Sequence, residues 1–551
     1  MSNFIRRCRI PIVVVTLAVA LASSVPGTPA SASSATHRAP HIGGTLTIAV
    51  GTNPATLNFN VSDLPSVEAI QRLYGNFLFN LNGKNELVPS LATSYSESKN
   101  GLTYTIRLRH GVKWSDGVPF TSKDVVFTLQ KFLPINSLVP AALTNDVTSI
   151  KSAGPSEVIV HLKQPFAPFM IGIAGSTMAM EPQHLYGNKT VGKDSAANDH
   201  PIGTGPFMVK QWIQDQKVVL VRNPNYWGAT KKHPYPYISS VVVDIITNPQ
   251  TMVDGLVSGT IDYVPTSFLP PSAIKTIQHS SCCRAVHTHA TPVYDLMYTN
   301  TLRPPFDNQA VRHAIYMALT RKLLIQDGLS GFGNLPLAPI PPSYAQLYTP
   351  KINLMTQYPY DPSKASAMLD AAGFPVQNGE RFGKAIKLLY SPTTGSFSTE
   401  TVRAIKAELA KITVNVTLVG LTRTPWETET YVKKDFTLSF AYFTSANDPA
   451  FGIARMFACQ PTQNATYTNA SGYCSKKVTS LFHNAVIAKT TAGRQRAYAQ
   501  VQQIVDNALP SYELGWHQTF AGIAKRVQNW KVSLLSWGGN FNPTFSESWI
   551  K

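Results

Sequence analysis

Apolar and polar positions along this chain fall into short blocks whose period changes from strand-like to helical and back. GTLTIAV (Gly44–Val50) reads as a strand, and Ser66–Asn80 as the helix that follows its loop. Between Gly83 and His200 lie hairpin strands in TYTIRLRHGVKW and EVIVHLKQPF, a tight turn at Ser115-Asp116-Gly117, and a helix over Ser122–Phe132 entered at Thr121-Ser122. VVVDIIT and GLVSGTIDYV alternate strand and helix again. Pro305-Phe306-Asp307 then caps a helix in which Val311, Ile315, Leu319 and Leu323 repeat at helical spacing. A strand at Ile386–Tyr390, a helix at Thr399–Ile412 and a strand at Val414–Val419 form a unit of the α/β kind. Ser439–Thr444 is a further strand, Arg494–Leu509 an amphipathic helix, and from Ser511 the chain is expected to return to its first half.

The beginning stands outside this pattern. Arg6, Arg7 and Arg9 precede an unbroken apolar run, Ile12–Ala22, and Pro29-Ala30-Ser31-Ala32 offers small residues for cleavage after Ala32. That is the form of an export signal, and the run is shorter than the roughly 20 apolar residues that cross a bilayer. The rest exceeds the ~250–300 residues that one core sustains, so at least two lobes are expected. Without the three leader arginines, 45 basic residues face 30 acidic ones, a net charge of +15. Lys and Arg are spread thinly with no run of five, so the charge reads as a solvated basic surface and not as a nucleic-acid interface.

Catalytic apparatus is missing from the sequence. There is no HExxH, no G-x-S-x-G elbow and no G-x-x-x-x-G-K-[ST] loop. Gly203-Thr204-Gly205 meets Pro206 at once and a strand after it, which does not suit a nucleotide loop. Cys282, Cys283, His287 and His289 have some metal-ligand character, but an oxidising compartment works against thiolate ligands, and surface-strand histidines are the expectation. No metal and no cofactor are expected.

Two blocks carry a family likeness: LVPSLATSYSESKNGLTYTIRLRHGVKWSDGVPFTSKDVVFTLQKF (Leu87–Phe132) and PIGTGPFMVKQWIQDQKVVLVRNPNYWG (Pro201–Gly228). Both closely resemble the extracytoplasmic solute-binding proteins of ABC importers, in the peptide- and nickel-binding class (family 5, oligopeptide- and dipeptide-binding protein-like). The resemblance covers nearly all of Gly44–Val532. It implies an α/β, bilobed periplasmic-binding-protein-like fold (class II, cluster C) with two large lobes, a hinge and a small extra subdomain. The implied division is a signal peptide 1–32, a flexible segment 33–43, lobe I at 44–82 and 201–290, an inserted subdomain 83–200, lobe II at 291–510, and a return to lobe I with a tail at 511–551. Such a protein captures a small solute, a peptide or peptide-like compound, and delivers it to a membrane permease and its ATPase subunits. It is expected to be a monomer and no enzyme, exported to the periplasm or cell envelope. The alternatives are a non-peptide ligand (oligosaccharide, opine-like compound or nickel chelate) or an exported hydrolase on this scaffold. Many relatives carry a lipid-modified Cys, but Cys8 precedes the apolar run here, so anchoring through it is not expected.

The same resemblance nominates cleft residues. SFAYFTSANDPAF (Ser439–Phe451) forms the pocket floor in relatives, which points to Tyr442, Phe443, Ser445 and Asn447; strand alternation lets only one of Tyr442 and Phe443 face the cleft. Trp426, Tyr294, Tyr298, Trp516 and His517 are expected to line it, with Asn53 in the entrance loop beside Asn58. Peptide-binding members place an Asp four residues before Pro449, where a charge-assisted bond to the peptide ammonium adds roughly 1.5–3 kcal/mol. This chain has Ser445 there, and Asp448 is expected to cap the following helix instead. Cys459 and Cys474 bracket a polar loop that is disulfide-bridged in some relatives, whereas Cys282 and Cys283 are open to a vicinal bridge, free thiols or other partners. The insert is expected to leave ligand affinity untouched.

Overall fold

The computed structural model describes residues 40–62, 64–82, 86–136, 141–173, 178–187, 191–192, 195–342, 344, 346–350, 352–392, 398–444, 446–459, 467–530 and 543–551, with backbone alone at 141–142, 288–292, 444 and 517–519. The leader, Ser445 and the side chains of His289 and His517 therefore lie outside what is described.

A mixed sheet runs through the molecule. Its strands are β1 (Thr45–Val50), β2 (Phe207–Ile213), β3 (Lys217–Arg222), β4 (Ser240–Ile245), β5 (Tyr263–Val264), β6 (Cys283–Thr299), β7 (Gly333–Asn334), β8 (Ile386–Tyr390), β9 (Val416–Gly420), β10 (Leu438–Thr444) and β11 (Ser511–Ala524). Their order in space is β9-β8-β10-β6-β11-β5-β1-β4-β3-β2, with β7 also paired to β11. The architecture is the expected mixed α/β one, with helices packed against the sheet.

β6 and β11, of 17 and 14 residues, run through both lobes. Cys283–Thr288 pairs with Thr519–Ala524 in the first lobe, and Val293–Tyr298 pairs with Ser511–His517 in the second. Between Thr288 and Val293 the register slips, so that four residues of β6 (289–292) oppose one of β11 (518). An irregularity of this kind interrupts the ladder and bends the strand. β1, β4 and β5 are parallel in the first lobe, as are β8, β9 and β10 in the second. β5 ends at Val264 opposite Gly522, and β10 ends at Thr444 opposite Val293. Both parallel sets thus aim their carboxyl ends at the slip.

The cores follow from the alternation. In the first lobe, Leu46, Ile48 and Val50 of β1 meet Leu220, Val241, Val243 and Ile523. The second lobe has a core on each sheet face: Met297, Leu388, Leu438 and Phe440 on one, Leu296, Ala441 and Phe443 on the other. The helix Thr491–Ala508 covers the latter with Ala497, Tyr498, Val501 and Val505. The insert has its own antiparallel sheet, in the order Ala92–Glu97, Thr103–Leu108, Glu157–Leu162, Val147–Ser152. Its turn closes through Gly117 N–H to Trp114 O at 2.9 Å, with Gly117 at φ +92°. Its helix Ser122–Lys131 starts on a reciprocal cap between Thr121 and Asp124.

Two expected helices are shorter than their periodicity suggests. The first spans Pro65–Tyr74 and stops six residues before Asn80, which lies in a short strand, Phe79–Leu81. Here Gly205 N–H donates to Tyr74 O at 2.7 Å, and a Cβ on Gly203 would lie 1.9 Å from that same oxygen. Gly203-Thr204-Gly205 is therefore a close-approach cap on a helix end, which explains its glycines without any nucleotide. The second expected helix breaks into Gln309–Met317 and Arg321–Gly328. Arg321 folds back to donate to the carbonyls of Tyr316 (2.7 Å) and Leu319 (3.0 Å), satisfying acceptors that a continuing helix would have used. Val311, Ile315 and Leu319 are buried as expected, while Leu323 is 37% exposed.

Candidate ligand cleft

Ligands of open α/β sheets bind beyond the carboxyl ends of the strands. Here two such sets of ends face each other across the slip in β6, which marks the candidate cleft. On its second-lobe side an aromatic row crosses three strands: Phe443 of β10 is opposite Tyr294 of β6, which is opposite Trp516 of β11, with Asn334 of β7 beyond. Tyr294 and Trp516 meet edge to face with ring centres 5.8 Å apart. The Tyr294 hydroxyl donates to Pro339 O at 3.0 Å, so its polar end is used. Burial pushes that phenol well above its usual range, with the Glu513 carboxyl adding to the effect. Trp516 is 8% exposed, and its buried indole N–H has no acceptor among the described residues. Leaving such a donor unmet costs about 1–3 kcal/mol, which an acceptor on a bound solute would relieve.

The loops after β9 and β10 build the adjoining wall. Arg423, just past β9, donates to Glu427 at 2.9 Å and to the Tyr467 hydroxyl at 3.4 Å. The Tyr467 ring lies 6.4 Å from Tyr442 and 5.5 Å from Tyr431. Neither Arg423 nor Tyr467 was singled out from the sequence. Arg423 had a usable signal, its place directly after a parallel strand; Tyr467 had none. In the loop after β10, Asp448 is buried, receives Ala450 N–H at 2.9 Å and pairs with Arg494. It does not cap the following helix as expected, because Ile453–Phe457 starts at Gly452 without a side-chain bond; its carboxylate is taken up by Arg494 instead.

The remaining nominated residues separate into two groups. Tyr294, Phe443 and Trp516 stand together in the row, and half-buried Tyr442 lies beside Tyr467. The backbone of His517 pairs with Val293 and Gly333 at the slip. Asn447 is buried in the loop past β10. Asn53 follows the carboxyl end of β1 and is exposed, donating to Asp215 at 2.6 Å. Trp426 and Tyr298 belong elsewhere, and here the expectation needs correcting. Trp426 is 1% exposed, gives its N–H to Ser439 Oγ at 3.1 Å, and packs edge-on against Tyr431, as does Tyr298. Ser439 lies near the amino end of β10, opposite Tyr298 and five residues from Thr444, or roughly 17 Å from the cleft end at strand rise. That distance, and not burial, sets both rings apart from the row, since Tyr294 is just as buried.

Cys459 and Cys474 are joined by a disulfide. Cys283 is a free, buried thiol, so it forms no vicinal bridge with Cys282; burial raises its pKa. The His287 ring packs 6.3 Å from Phe520, and among the described residues no group of three or more His, Cys, Asp or Glu is gathered for a metal. No helix among them is long and apolar enough to cross a membrane.

Two α/β lobes, linked by continuous strands and presenting opposed strand ends, define a hinged solute receptor. Residues 86–464 match the model for bacterial extracellular solute-binding proteins, family 5, and the chain belongs to that family. It is a solute-binding protein of the ABC-importer kind. The chain is 28% identical over 503 residues to the glutathione-binding protein GsiB of Salmonella typhimurium, covering 89% of this chain and 90% of that one. Its fold matches the oligopeptide-binding protein AppA of Bacillus subtilis in complex with a nonapeptide (TM-score 0.76, 22% identity, 93% of this chain and 100% of that one). It also matches NikZ of Campylobacter jejuni in complex with Ni(L-His) (TM-score 0.76, 23% identity, 90% and 97%).

Proposed function

We propose that this protein captures a peptide or peptide-like solute between its lobes and hands it, chemically unchanged, to a membrane permease driven by ATPase subunits. The observation that carries this reading is the unmet Trp516 N–H at the end of an aromatic row, between two sets of strand ends. A peptide carbonyl suits that donor, and the rings suit apolar side chains. With Ser445 at the family's Asp position and Asp448 held by Arg494, the loop after β10 offers a peptide ammonium no free carboxylate. The favoured ligands therefore place their amino terminus elsewhere or carry none, as in a γ-linked or blocked peptide. Glutathione, whose γ-linkage moves its ammonium off the main chain, is the first compound to test, given the relationship to GsiB.

The lobes proposed are 44–82 with 201–290, and 291–510, with the insert at 83–200 and a returning segment from 511. The protein is exported as a monomer after cleavage at Ala32 and is not anchored through Cys8. Native mass spectrometry of freshly purified protein is expected to reveal a co-purified peptide-like molecule, and calorimetry to detect glutathione binding. Conversion of any added compound, or protein that neither retains nor binds any peptide-like solute, would refute the reading.

A further inference from the structure

We infer that the inserted four-stranded unit is a latch, fixed to the first lobe and closing the cleft by locking onto the second-lobe loop 446–451. This rests on the receptor reading above. The insert is bound to the first lobe through a buried polar network. Asn60 and Gln71 of the first lobe donate to the Glu181 carboxyl at 2.7 and 3.2 Å, Asn58 donates to the Tyr186 hydroxyl at 2.9 Å, and Ser115 N–H donates to Gly203 O at 2.9 Å. Held by these bonds to first-lobe partners, the insert travels with that lobe.

Its opposite side reaches across. The Phe166 ring stacks on Phe451 of the second lobe with centres 6.3 Å apart and planes 15° from parallel. Ala167 N–H donates to Val486 O at 2.8 Å. Gly172 makes the approach possible, since a Cβ there would lie 2.8 Å from the Phe451 ring. Phe451 and Ala446 are buried in the insert's own apolar cluster, beside Phe166, Phe169 and Met170. The receiving loop is tied to the second lobe: Asp448 pairs with Arg494, Tyr344 donates its hydroxyl to Ala446 O, and Ala446 holds φ +58°, a left-handed conformation that is uncommon for a residue with a side chain. Phe166, Gly172 and Phe451 lie outside the aromatic row and pack on one another across the two lobes. On this inference the insert does affect affinity, against the expectation from the sequence.

The test is a pair of introduced thiols, Phe166→Cys with Phe451→Cys, in the full mature chain. Mild oxidation is expected to cross-link them in the absence of ligand, well above the Phe451→Cys single variant, and to give a more compact scattering profile than the reduced protein. Separately, Phe451→Ala and Phe166→Ala should each raise the ligand-free radius of gyration. Each should speed glutathione release about tenfold with the association rate unchanged within twofold, the pattern of a contact made after encounter. The double variant should be no worse than either single one, because the two rings form one contact. No cross-link above the control, or alanine variants with wild-type compactness, would overturn the latch. Should wild-type protein take no glutathione, the ligand assignment fails on its own, while cross-linking and scattering still judge the latch.

Discussion

Nη2 of Arg494 lies between the two carboxylate oxygens of Asp448, 2.7 Å from one and 2.8 Å from the other, with both side chains largely buried. The contact joins the helix Thr491–Ala508 to the loop after β10, and the Tyr498 hydroxyl accepts from the same nitrogen at 3.1 Å. Burial works against the Arg494 charge, but Asp448 outweighs it and holds the guanidinium firmly protonated. Asp448→Asn would leave that cation buried without its counter-charge. A loss of about 3 kcal/mol of stability is expected, the scale for breaking a buried pair from one side. Urea denaturation at neutral pH measures it, and a loss below about 1 kcal/mol would mean that the pair is not desolvated in solution.

Trp516 and Trp426 offer a contrast within one residue type. Trp516→Phe keeps a ring in the row but removes the unmet N–H, so ligand affinity should fall about five- to tenfold, or roughly 1–1.4 kcal/mol. Trp426→Phe removes the bond to Ser439 inside the core and leaves that hydroxyl with Thr430 alone as its side-chain partner. It should lower stability by about 1–3 kcal/mol while affinity stays within twofold. Calorimetry and thermal melts on both variants decide the matter, and affinity loss from Trp426→Phe alone would put the cleft on the wrong side of the sheet.

Glu181 predicts a pH dependence. Burial pushes its carboxyl from 4.5 up to about 8, against hydrogen bonds from Tyr186, Asn60 and Gln71 that pull it down. The folded state therefore keeps a proton that the unfolded chain releases. The resulting stability is complete below about pH 4.5 and is lost as pH climbs toward 8, amounting to roughly 5 kcal/mol. Glu181→Gln keeps the accepting oxygen and has no proton to lose, so its melting temperature should fall less between pH 5 and 8 than that of the wild type. Asp506 and Glu513, also raised by burial, are common to both proteins and cancel in the difference. Parallel curves would show that Glu181 is ionised in the folded protein.

What could be read from the sequence follows the range of the forces involved. The capped helix at Thr121 and the turn at Gly117 rest on neighbours within a few residues, and β1, though paired with distant strands, shows itself by its alternation, so the pattern alone locates all three. Helix ends set from afar were not visible: Gly205 stops one helix from 131 positions downstream of Tyr74, and no local signal marks that meeting. The site divides in the same way. The Tyr294 and Trp516 positions were named through family likeness, but their pairing depends on a register slip between distant strands. Trp426 was misplaced because an aromatic residue in the right lobe carries no sign of which end of a strand it meets. The docking of Phe166 on Phe451, 285 positions apart, had no precursor in the pattern at all.

The disulfide between Cys459 and Cys474 makes a last, sharper prediction about where its effect lies. It closes a loop with a sequence separation of 15, for which the chain-entropy account gives about 3 kcal/mol. The described ends of the loop are also joined apart from the bridge, because the Asn469 side-chain amide donates to Ala458 O at 3.2 Å and to Tyr473 O at 2.6 Å. Those carbonyls lie next to the two cysteines, so hydrogen bonds already draw the ends together and the bridge acts mainly by restricting the unfolded chain. Replacing both cysteines by Ser should thus lower stability by about 3 kcal/mol in urea while ligand affinity, read by calorimetry, changes less than twofold. Adding Asn469→Asp to that variant removes the donor and should now weaken binding, since Tyr467 and its contact with Arg423 lose their support. An affinity loss already complete in the cysteine variant would instead make the bridge itself the scaffold of that wall of the cleft.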